Sequence, residues 1–399
     1  MSTAADKPLE GVRIVVIEQY AAGPYGSMFL ADLGAEVIKV ENRAAGGDLT
    51  RGGGPFFLGA QDGQYYQSFN LNKKSVTLNV KHPRGREIFH KLIATADVMW
   101  NNLRGNVPAE LGIDYPALGR VNPRIVCTHI SAYGRDNDRA DWPGYDFLMQ
   151  AECGWMMVSG EPDGPPARAG VSIVDHMCGM TAAVGTLSAL WRAARTGRGR
   201  DVDVSLFDVA LHQLSYRATW YLNEQFVTGR LARSAHTMET PVQLFPTGDG
   251  WVFIMCMPDK FWTVLTDEIG RPDLRADARF CTPDIRRQHR AELTEALDAV
   301  FRQRTTAGWM EHLRGKIPCA PVYDVPQALD NPFARATGVF QDIDHPQRPG
   351  LKVLSNPIRL DGARLPAARG PKIGAHNAEI LGELGYGGEI DSLAADGVI

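Results

Sequence analysis

The sequence predicts an α/β protein in which a large domain with an open, mostly parallel sheet is accompanied by a smaller α+β domain. Short runs of branched apolar residues alternate with helical apolar spacings over the first half of the chain, as in a parallel sheet covered by helices. The pattern changes to a hairpin and several helices between residues 227 and 325. The 399 residues suffice for two or three domains, and a hydrophobic content of 44% provides for a large core.

The first elements predict a βαβ unit. The run "GVRIVVIE" is typical of a buried strand, "GPYGSMFLADLGA" has the apolar spacing of a helix closed by Gly34, and "EVIKVE" indicates a second strand. The alternation continues with strands in "SVTLNV", "DVMW" and "RIVCTHI" and with a helix in "PRGREIFHKLIATA". Helices on both faces of a mostly parallel sheet are the simplest arrangement of these elements.

Two longer helices are predicted in the middle of the chain, over residues 175–195 and from residue 208 to about residue 226, with a strand in "DVDVSLFD" between them. The stretch "ETPVQLFPTGDGWVFIMC" predicts a hairpin, because alternating strands flank the turn residues "TGDG". The helical patterns that follow cover residues 259–269, 287–303 and 306–314.

The end of the chain differs in composition from the segment before it. It is rich in Pro and Gly and contains only short strand patterns, so we expect it to pack back on the first domain. The sequence therefore predicts a large domain made of residues 1–226 and completed by residues 326–399. A small α+β domain of residues 227–325 is predicted between these two parts.

Composition limits the partners and the compartment. A formal net charge of -4 creates no global basic field, so no nucleic-acid partner is expected. Six cysteines are spread singly without metal-ligand spacing, which predicts reduced thiols and no metal site. The first residues lack a basic segment followed by an apolar run, and no stretch of about 18 uninterrupted apolar residues occurs. We therefore expect a cytoplasmic protein with no membrane partner.

Asp175 is the residue that raises the question of chemistry, because it lies in the apolar stretch "GVSIVDHMCGM". One interpretation is that it caps the N-terminus of a helix beginning at His176. The other is that it lies at a strand-to-helix turn on the ligand-binding edge of the sheet, where a carboxylate can attack an acyl thioester. The small residues Gly179, Ala182 and Ala183 allow either tight helix packing or the approach of a thin ligand. His176 is expected to be a core histidine.

An ordered series of segments gives the sequence a resemblance to a known family. The segments are "LEGVRIVVIEQYAAGPYGSMFLADLGAEVIKVE", "FNLNKKSVTLNVKHPRGREIFHKLIATADVMWNNLRGN", "LGIDYPALGRVNPRIVCTHISAYG", "PGYDFLMQAECG" and "TGRGRDVDVSLFDVAL". Together they resemble the class III coenzyme A transferases, the CaiB/BaiF family, over nearly the whole chain. The resemblance implies a Rossmann-like large domain, a small domain, and a homodimer whose subunits interlock like chain links.

The resemblance also implies an activity, which is the transfer of CoA from a donor acyl-CoA to a carboxylic acid. Asp175 would carry the acyl group and then CoA as a covalent intermediate. Coenzyme A and its thioesters would be substrates, with no tightly bound cofactor. Succinyl-CoA with a small carboxylic acid is an expectation from the family, and the residues do not distinguish among acceptor acids.

The same resemblance assigns contacts with CoA and with the acyl group to segments in several parts of the chain. These residues are Tyr20, Ala21, Ala22, Asn42, Arg43, Leu78, Lys81, Asn102, Leu103, Arg104, Tyr145 and Asp146. In oxalate-specific relatives a glutamine occupies the position aligned with Ala21 and a glycine-rich loop in the small domain closes the site. This sequence has neither feature there, so oxalate is a poor guess for its acceptor.

Two alternative functions stay open at this point. Family members that racemise α-methylacyl-CoA have a histidine at the position aligned with Tyr145. Because tyrosine is a weak base at neutral pH, the isomerase interpretation is less favoured. The other alternative is an acyl-CoA binding protein without activity, which the retained Asp175 disfavours.

Overall fold

The computed structural model describes residues 7–399 and divides into two compact units. The larger unit contains the chain up to Cys153 together with Gly170–Ser215 and Arg335–Ile399, and the smaller contains Gly154–Ala169 and Tyr216–Ala334. Residues 154–169 and 216–226 therefore belong to the smaller unit, whereas the sequence prediction placed both in the large domain. The first six residues of that predicted domain lie outside the described residues.

A six-stranded, wholly parallel sheet forms the centre of the larger unit. Its strands are β1 (Arg13–Ile17), β2 (Glu36–Glu41), β3 (Lys74–Thr77), β4 (Val98–Asn101), β5 (Val126–Ser131) and β6 (Arg200–Ser205). They are arranged in the order β3-β2-β1-β4-β5-β6, so the order reverses next to β1. In such sheets ligands bind at the carboxyl edge, near the point of reversal. The predicted α/β class with a large parallel sheet is confirmed.

Five helices of the larger unit follow or connect these strands. They are α1 (Ala22–Asp32), α2 (Pro83–Ala94), α3 (Asp146–Glu152), α4 (Ile173–Thr196) and α5 (Leu206–His212). Branched side chains explain why the central strands are buried on both faces, since Ile14, Val15 and Val16 of β1 are all fully buried. Val15 belongs to the core that also contains Ile88 and Phe89 of α2.

Helices α1 and α4 approach each other closely because glycines face each other. A Cβ atom on Gly179 would overlap the carbonyl oxygen of Ala22, and one on Gly26 would overlap the carbonyl oxygen of Gly179. Ala182 and Ala183 are also buried. The small face of α4 therefore serves helix packing and is not a floor for a ligand. By length and composition alone α4 could also cross a membrane, but here it packs on α1, β5 and β6.

The smaller unit contains helices and a three-stranded antiparallel sheet. Its longer elements are α6 (Tyr216–Glu224), β7 (Val242–Pro246), β8 (Trp251–Met255), α7 (Asp259–Glu268), α8 (Arg290–Phe301), α9 (Thr306–Leu313) and β9 (Cys319–Pro321). Strands β7 and β8 form the predicted hairpin around "TGDG", and the three predicted helices are confirmed with small shifts at their ends. The long helix predicted over 208–226 is wrong, because the chain turns at Ser215, whose φ is 52°, between α5 and α6.

From Arg335 onward the C-terminal segment belongs to the larger unit, whereas residues 326–334, which the prediction also placed there, belong to the smaller unit. The C-terminal segment contains the hairpin β10 (Phe340–Ile343) and β11 (Leu351–Leu354) and the helices α10 (Asn377–Glu383) and α11 (Ile390–Ala395). Ile343 and Leu351 pack with Met28 of α1, while Ile380 and Leu393 join the core around α2.

Both units also contain short elements. Shorter helices lie at Gln64–Gln67, Val107–Leu111, Tyr115–Leu118, Asp273–Ala276, Pro283–Gln288, Val325–Asp330 and Pro332–Ala336, and short strands at Phe57–Gly59, Asp62–Gly63, Arg359–Leu360 and Ala363–Arg364.

Candidate active site

A cavity of about 410 Å³ opens at the carboxyl edge of the sheet, beside the point where the strand order reverses. The loops after β1, β4 and β5 and the first turn of α4 form its walls. Eight of the residues predicted from the sequence line it together, namely Tyr20, Ala21, Ala22, Asn102, Leu103, Arg104, Tyr145 and Asp175. The fold thus brings residues from four separate segments to one place.

Asp175 lies in the first turn of α4 as its third residue, because the helix begins at Ile173. The expectation that Asp175 is the N-cap is therefore wrong, since Ser172 occupies that position. The expected strand before the helix is also absent among the described residues, which form turns and irregular chain over 158–172. The carboxylate of Asp175 is consequently not used to cap its own helix.

The carboxylate of Asp146 performs that capping from a neighbouring helix. Its Oδ2 accepts a hydrogen bond from the backbone N–H of Asp175 at 3.0 Å, and its Oδ1 accepts one from Gln150 Nε2 at 2.6 Å. Asp146 is itself buried, with 3% of its surface exposed. The free N–H groups in the first turn of a helix favour a negative charge at this place. Asp146 therefore holds the backbone of Asp175 in place at the N-terminus of α4.

The environment of Asp175 weakens its acidity. Burial, followed by the negative charge of Asp146, raises the pKa of Asp175 to about 7. A poorly solvated carboxylate with a pKa near neutrality combines a usable ionised fraction with more basicity than a carboxylate in water has. A nucleophilic or proton-transferring carboxylate needs these properties.

We predict that activity rises with pH through about pH 7, the pKa of Asp175, because only the ionised carboxylate can act as a nucleophile. Asp146→Asn keeps an oxygen that can accept the N–H of Asp175 but removes a negative charge. The midpoint of kcat/KM against pH should then move down by about half a unit or more. Since burial is the larger cause of the raised pKa, the midpoint should stay above that of an exposed aspartate. An unchanged midpoint would contradict this account of the site.

The loop after β1 is tied to the loop after β4 by one side chain. Asn102 Oδ1 accepts the backbone N–H of Gln19 at 2.9 Å, and Asn102 Nδ2 donates to the carbonyl of Gln19 at 2.7 Å. The next residue, Tyr20, has a φ of 60°, which is uncommon for a residue with a side chain. Its ring meets the ring of Tyr145 edge to face at 5.7 Å between centroids. Two tyrosines therefore stand together at the wall of the cavity.

The sequence is similar to known proteins over nearly its whole length. The model of CoA-transferase family III matches residues 9–377 of the chain. The chain belongs to this family. The succinate–glutarate CoA-transferase of Agrobacterium fabrum is 32% identical over 388 residues, covering 94% of this chain and 96% of that protein. The succinyl-CoA:glutarate CoA-transferase of Mus musculus is 34% identical over 397 residues, covering 98% and 90%.

A solved structure agrees with this assignment. The crystal structure of a CaiB/BaiF family protein from Brucella suis has a TM-score of 0.83 and 33% identity, covering 95% of this chain and 99% of that one. The family predicted from the sequence is therefore confirmed, and with it the prediction that the protein is an enzyme, a CoA-transferase that uses CoA thioesters as substrates.

Five predicted contacts of this family III enzyme do not line the cavity. One is the buried Asp146, and the other four lie on the loops after β2 and β3. Asn42 is exposed and accepts the N–H of Ala44 at 3.0 Å, and Arg43 and Lys81 are exposed as well. The side chain of Leu78 is buried in the core between the sheet and α2. These loops adjoin the cavity loops along the same sheet edge, and the nucleotide contact remains a prediction.

One residue near Asp175 of this CoA-transferase was not singled out from the sequence. Burial, followed by the negative charges of Asp175 and Asp48, raises the pKa of Tyr65, so its phenol lies within electrostatic reach of Asp175. The ring centroids of Tyr65 and Phe69 are 5.5 Å apart, and those of Phe69 and His176 are 5.9 Å apart. These three rings form an aromatic wall. The stretch "QYYQSF" carries no periodic signal, so only the fold reveals this aromatic wall.

His176 belongs to the same aromatic wall. Its ring is stacked on Tyr25 at 4.3 Å between centroids, and desolvation by burial lowers its pKa. The side chain is half-buried among these rings. Such contacts do not indicate an acid–base role. The interpretation of His176 as a packing histidine agrees with these contacts.

Proposed function

We propose that this CoA-transferase moves CoA from a donor acyl-CoA to a carboxylic acid through covalent intermediates on Asp175. The observation that carries the proposal is the carboxylate of Asp175 in the cavity, with a pKa raised to about 7 and its backbone fixed by Asp146. A carboxylate nucleophile suits this exchange, because every intermediate keeps the acyl group activated.

In the first half of the proposed reaction a carboxylate oxygen of Asp175 attacks the thioester carbon of the donor. The carbon–sulfur bond breaks, the CoA thiolate leaves, and a mixed anhydride joins Asp175 to the donor acyl group. The thiolate then attacks the Asp175 carbon of that anhydride. The donor leaves as a free carboxylate, and Asp175 holds CoA as a thioester.

The second half reverses these steps with the acceptor. The acceptor carboxylate attacks the aspartyl thioester, releases the CoA thiolate and forms a second mixed anhydride. The thiolate attacks the acceptor carbon, which yields the new acyl-CoA and restores the carboxylate of Asp175. No proton, oxidant or metal is needed for the balance. The nearby hydroxyls of Tyr20 and Tyr145 supply polar contacts for the carboxylate groups that enter and leave.

The larger unit provides the proposed CoA site. Arg104 is exposed on the wall of the cavity and meets a phosphate of CoA, while Leu103 and Asn102 lie along pantetheine. Asn42, Arg43, Leu78 and Lys81 would border the nucleotide end. In this proposal CoA binding belongs to the larger unit, and residues 154–169 and 216–334 form a separate unit.

Arg104→Gln should raise the KM for acyl-CoA by about tenfold, because one charge-assisted contact with phosphate is lost. The value of kcat should change less than threefold, roughly, since the guanidinium does not contact the reacting atoms. Steady-state kinetics at two salt concentrations checks this prediction. Arg124→Gln on the exposed turn before β5 is the matched control and should leave both constants unchanged. An equal KM in both variants would remove Arg104 from the proposed site.

We also propose that the enzyme is an interlocked homodimer in the cytoplasm. Exposed apolar side chains on α4 support an interface there, since Val184 is 62% and Trp191 is 70% exposed. All six cysteines are unpaired, which supports a reducing compartment. Light scattering of the purified protein tests the dimer, and a monomer at micromolar concentration would contradict it.

A panel of carboxylic acids tests the proposed function. The enzyme is incubated with succinyl-CoA or acetyl-CoA and each acid, and new acyl-CoA species are identified by mass spectrometry. The two relatives are named for CoA transfer between succinate and glutarate. We therefore expect succinyl-CoA to serve as donor and a small acid as acceptor. Failure of every donor and acid to exchange CoA would contradict the proposal.

A further inference from the structure

The loop Glu18–Tyr20 between β1 and α1 is held by side chains from three other segments. At Gln19, the side chain of Asn102 accepts from the backbone N–H at 2.9 Å and donates to the carbonyl at 2.7 Å. The carbonyl oxygen of Glu18 accepts a hydrogen bond from Lys39 Nζ at 3.1 Å, and the backbone N–H of Tyr20 donates to Asp48 Oδ1 at 3.3 Å. Four successive backbone polar groups are thus fixed from outside the loop. A loop held in this way has little freedom to change its conformation.

Lys39 and Asp48 form a buried ion pair behind this loop. Their charged atoms are 2.7 Å apart and both side chains are fully buried. Asp48 also accepts hydrogen bonds from Thr50 N at 2.9 Å and from Thr50 Oγ1 at 2.8 Å. The carboxylate of Glu18 is shared between Lys39 at 3.6 Å and Lys73 at 2.8 Å. The positive charges of Lys39 and Lys73 are therefore balanced by the negative charges of Asp48 and Glu18.

Stability alone does not explain the Lys39–Asp48 pair. Buried ion pairs are expensive to desolvate, and apolar residues of similar size are often at least as stabilising. The pair does, however, lie directly under a strained part of the cavity wall, because Tyr20 has a φ of 60°. Tyr20 contacts Tyr145, and the next residues Ala21 and Ala22 line the cavity with Asp175. Backbone strain at such a position persists only where the surroundings enforce it.

We propose that Lys39 and Asp48 are positioning residues for CoA transfer, which hold the backbone of Glu18–Tyr20 so that Tyr20 stands against Tyr145 beside Asp175. This inference rests on the proposed function of Asp175. Neither side chain touches substrate, and both act through the loop. Their loss moves the wall of the acyl-binding part of the cavity, while Leu103 and Arg104 on the loop after β4 stay in place.

Two double variants test the inference. Lys39→Met/Asp48→Leu removes both charges and the acceptor of the Tyr20 N–H, and should lower kcat by about 10²-fold with the KM for acyl-CoA little changed. Lys39→Met/Asp48→Asn removes the same charges but keeps an oxygen that can accept that N–H. It should recover at least about tenfold of the lost kcat. A merely structural role would not make kcat depend on this oxygen.

A second buried ion pair of the larger unit provides the control. Arg51 and Glu41 are buried and bonded at 2.7 Å, and neither bonds to the Glu18–Tyr20 loop. Glu41 Oε1 also accepts the backbone N–H of Asp48 at 3.1 Å, and a glutamine at this position keeps that acceptor. Glu41→Gln/Arg51→Met should lose stability yet keep kcat within about threefold for the folded fraction. The folded fraction is measured by circular dichroism and by CoA binding.

The outcomes separate the inference from the proposed function. If Lys39→Met/Asp48→Leu keeps the kcat of the wild type, or loses no more than the Arg51 control, the positioning role is overturned. The positioning role is also overturned if Lys39→Met/Asp48→Asn recovers none of the kcat that Lys39→Met/Asp48→Leu loses. If instead Asp175→Asn keeps full activity, the proposed function itself is wrong, whatever the positioning variants show.

Discussion

Replacing Asp175 by Asn or Ala lowers kcat for CoA transfer by about 10⁴-fold or more in the proposed account. An amide or a methyl group cannot form the mixed anhydride, and the neighbouring carboxylate of Asp146 is engaged by the N–H of Asp175 and by Gln150. No other carboxylate lines the cavity among the described residues. Initial rates with the best donor and acceptor from the acid panel measure the effect.

These variants should remain folded and be no less stable than the wild type. Burial raises the pKa of Asp175, so its ionised form is unfavourable in the folded protein and its removal relieves that cost. Asp141→Asn, an exposed change before α3, is the matched control and should keep kcat within about twofold. A rate above about one hundredth of the wild-type rate in both Asp175 variants would exclude Asp175 as the nucleophile.

Gly179→Val should lower the free energy of unfolding by about 3 kcal/mol or more. Any side chain at this position meets the backbone of α1, since a Cβ atom would overlap the carbonyl oxygen of Ala22 and lie 2.9 Å from the backbone nitrogen of Gly26. Backbone atoms cannot move aside as the end of a flexible side chain can. Thermal or denaturant unfolding of the purified protein measures the loss.

Gly382→Ala is the control for this prediction. Gly382 lies within α10, and a Cβ atom there meets no other atom within 4 Å. Alanine favours the helix over glycine by up to about 1 kcal/mol, so this variant should gain slightly in stability. If Gly179→Val kept its stability and instead raised the KM for acyl-CoA, the small face of α4 would be a surface for the thioester after all.

Much of the fold could be predicted from the sequence because its signals are local. Branched apolar runs such as Ile14–Val16 give buried parallel strands wherever helices cover both faces. The "TGDG" residues mark the hairpin of β7 and β8 as a local turn signal, and the N–H of Thr247 donates to the carbonyl of Gly250 at 2.9 Å there. The helix predicted over 208–226 failed because its break at Ser215 depends on a single left-handed residue that no Gly or Pro announces.

The candidate site was predicted only in part, because its decisive contacts join distant segments. One of the two interpretations of Asp175 made it a cap for its own helix, whereas Asp146, 29 residues earlier in the chain, does the capping. The contribution of Asp146 to the raised pKa of Asp175 follows from that contact and has no signature in spacing. Tyr65 likewise reaches Asp175 only through the packing of a short helix.

Covalent capture of the intermediate shows whether Asp175 carries the acyl group and CoA. The enzyme is mixed with acyl-CoA without acceptor, quenched with hydroxylamine or with borohydride, digested and analysed by mass spectrometry. We expect an aspartyl hydroxamate, or homoserine after reduction, at position 175 of the wild type, and neither product in Asp175→Ala or without acyl-CoA. An unmodified Asp175 in enzyme that turns over normally, or trapping at another residue, would contradict this role of Asp175.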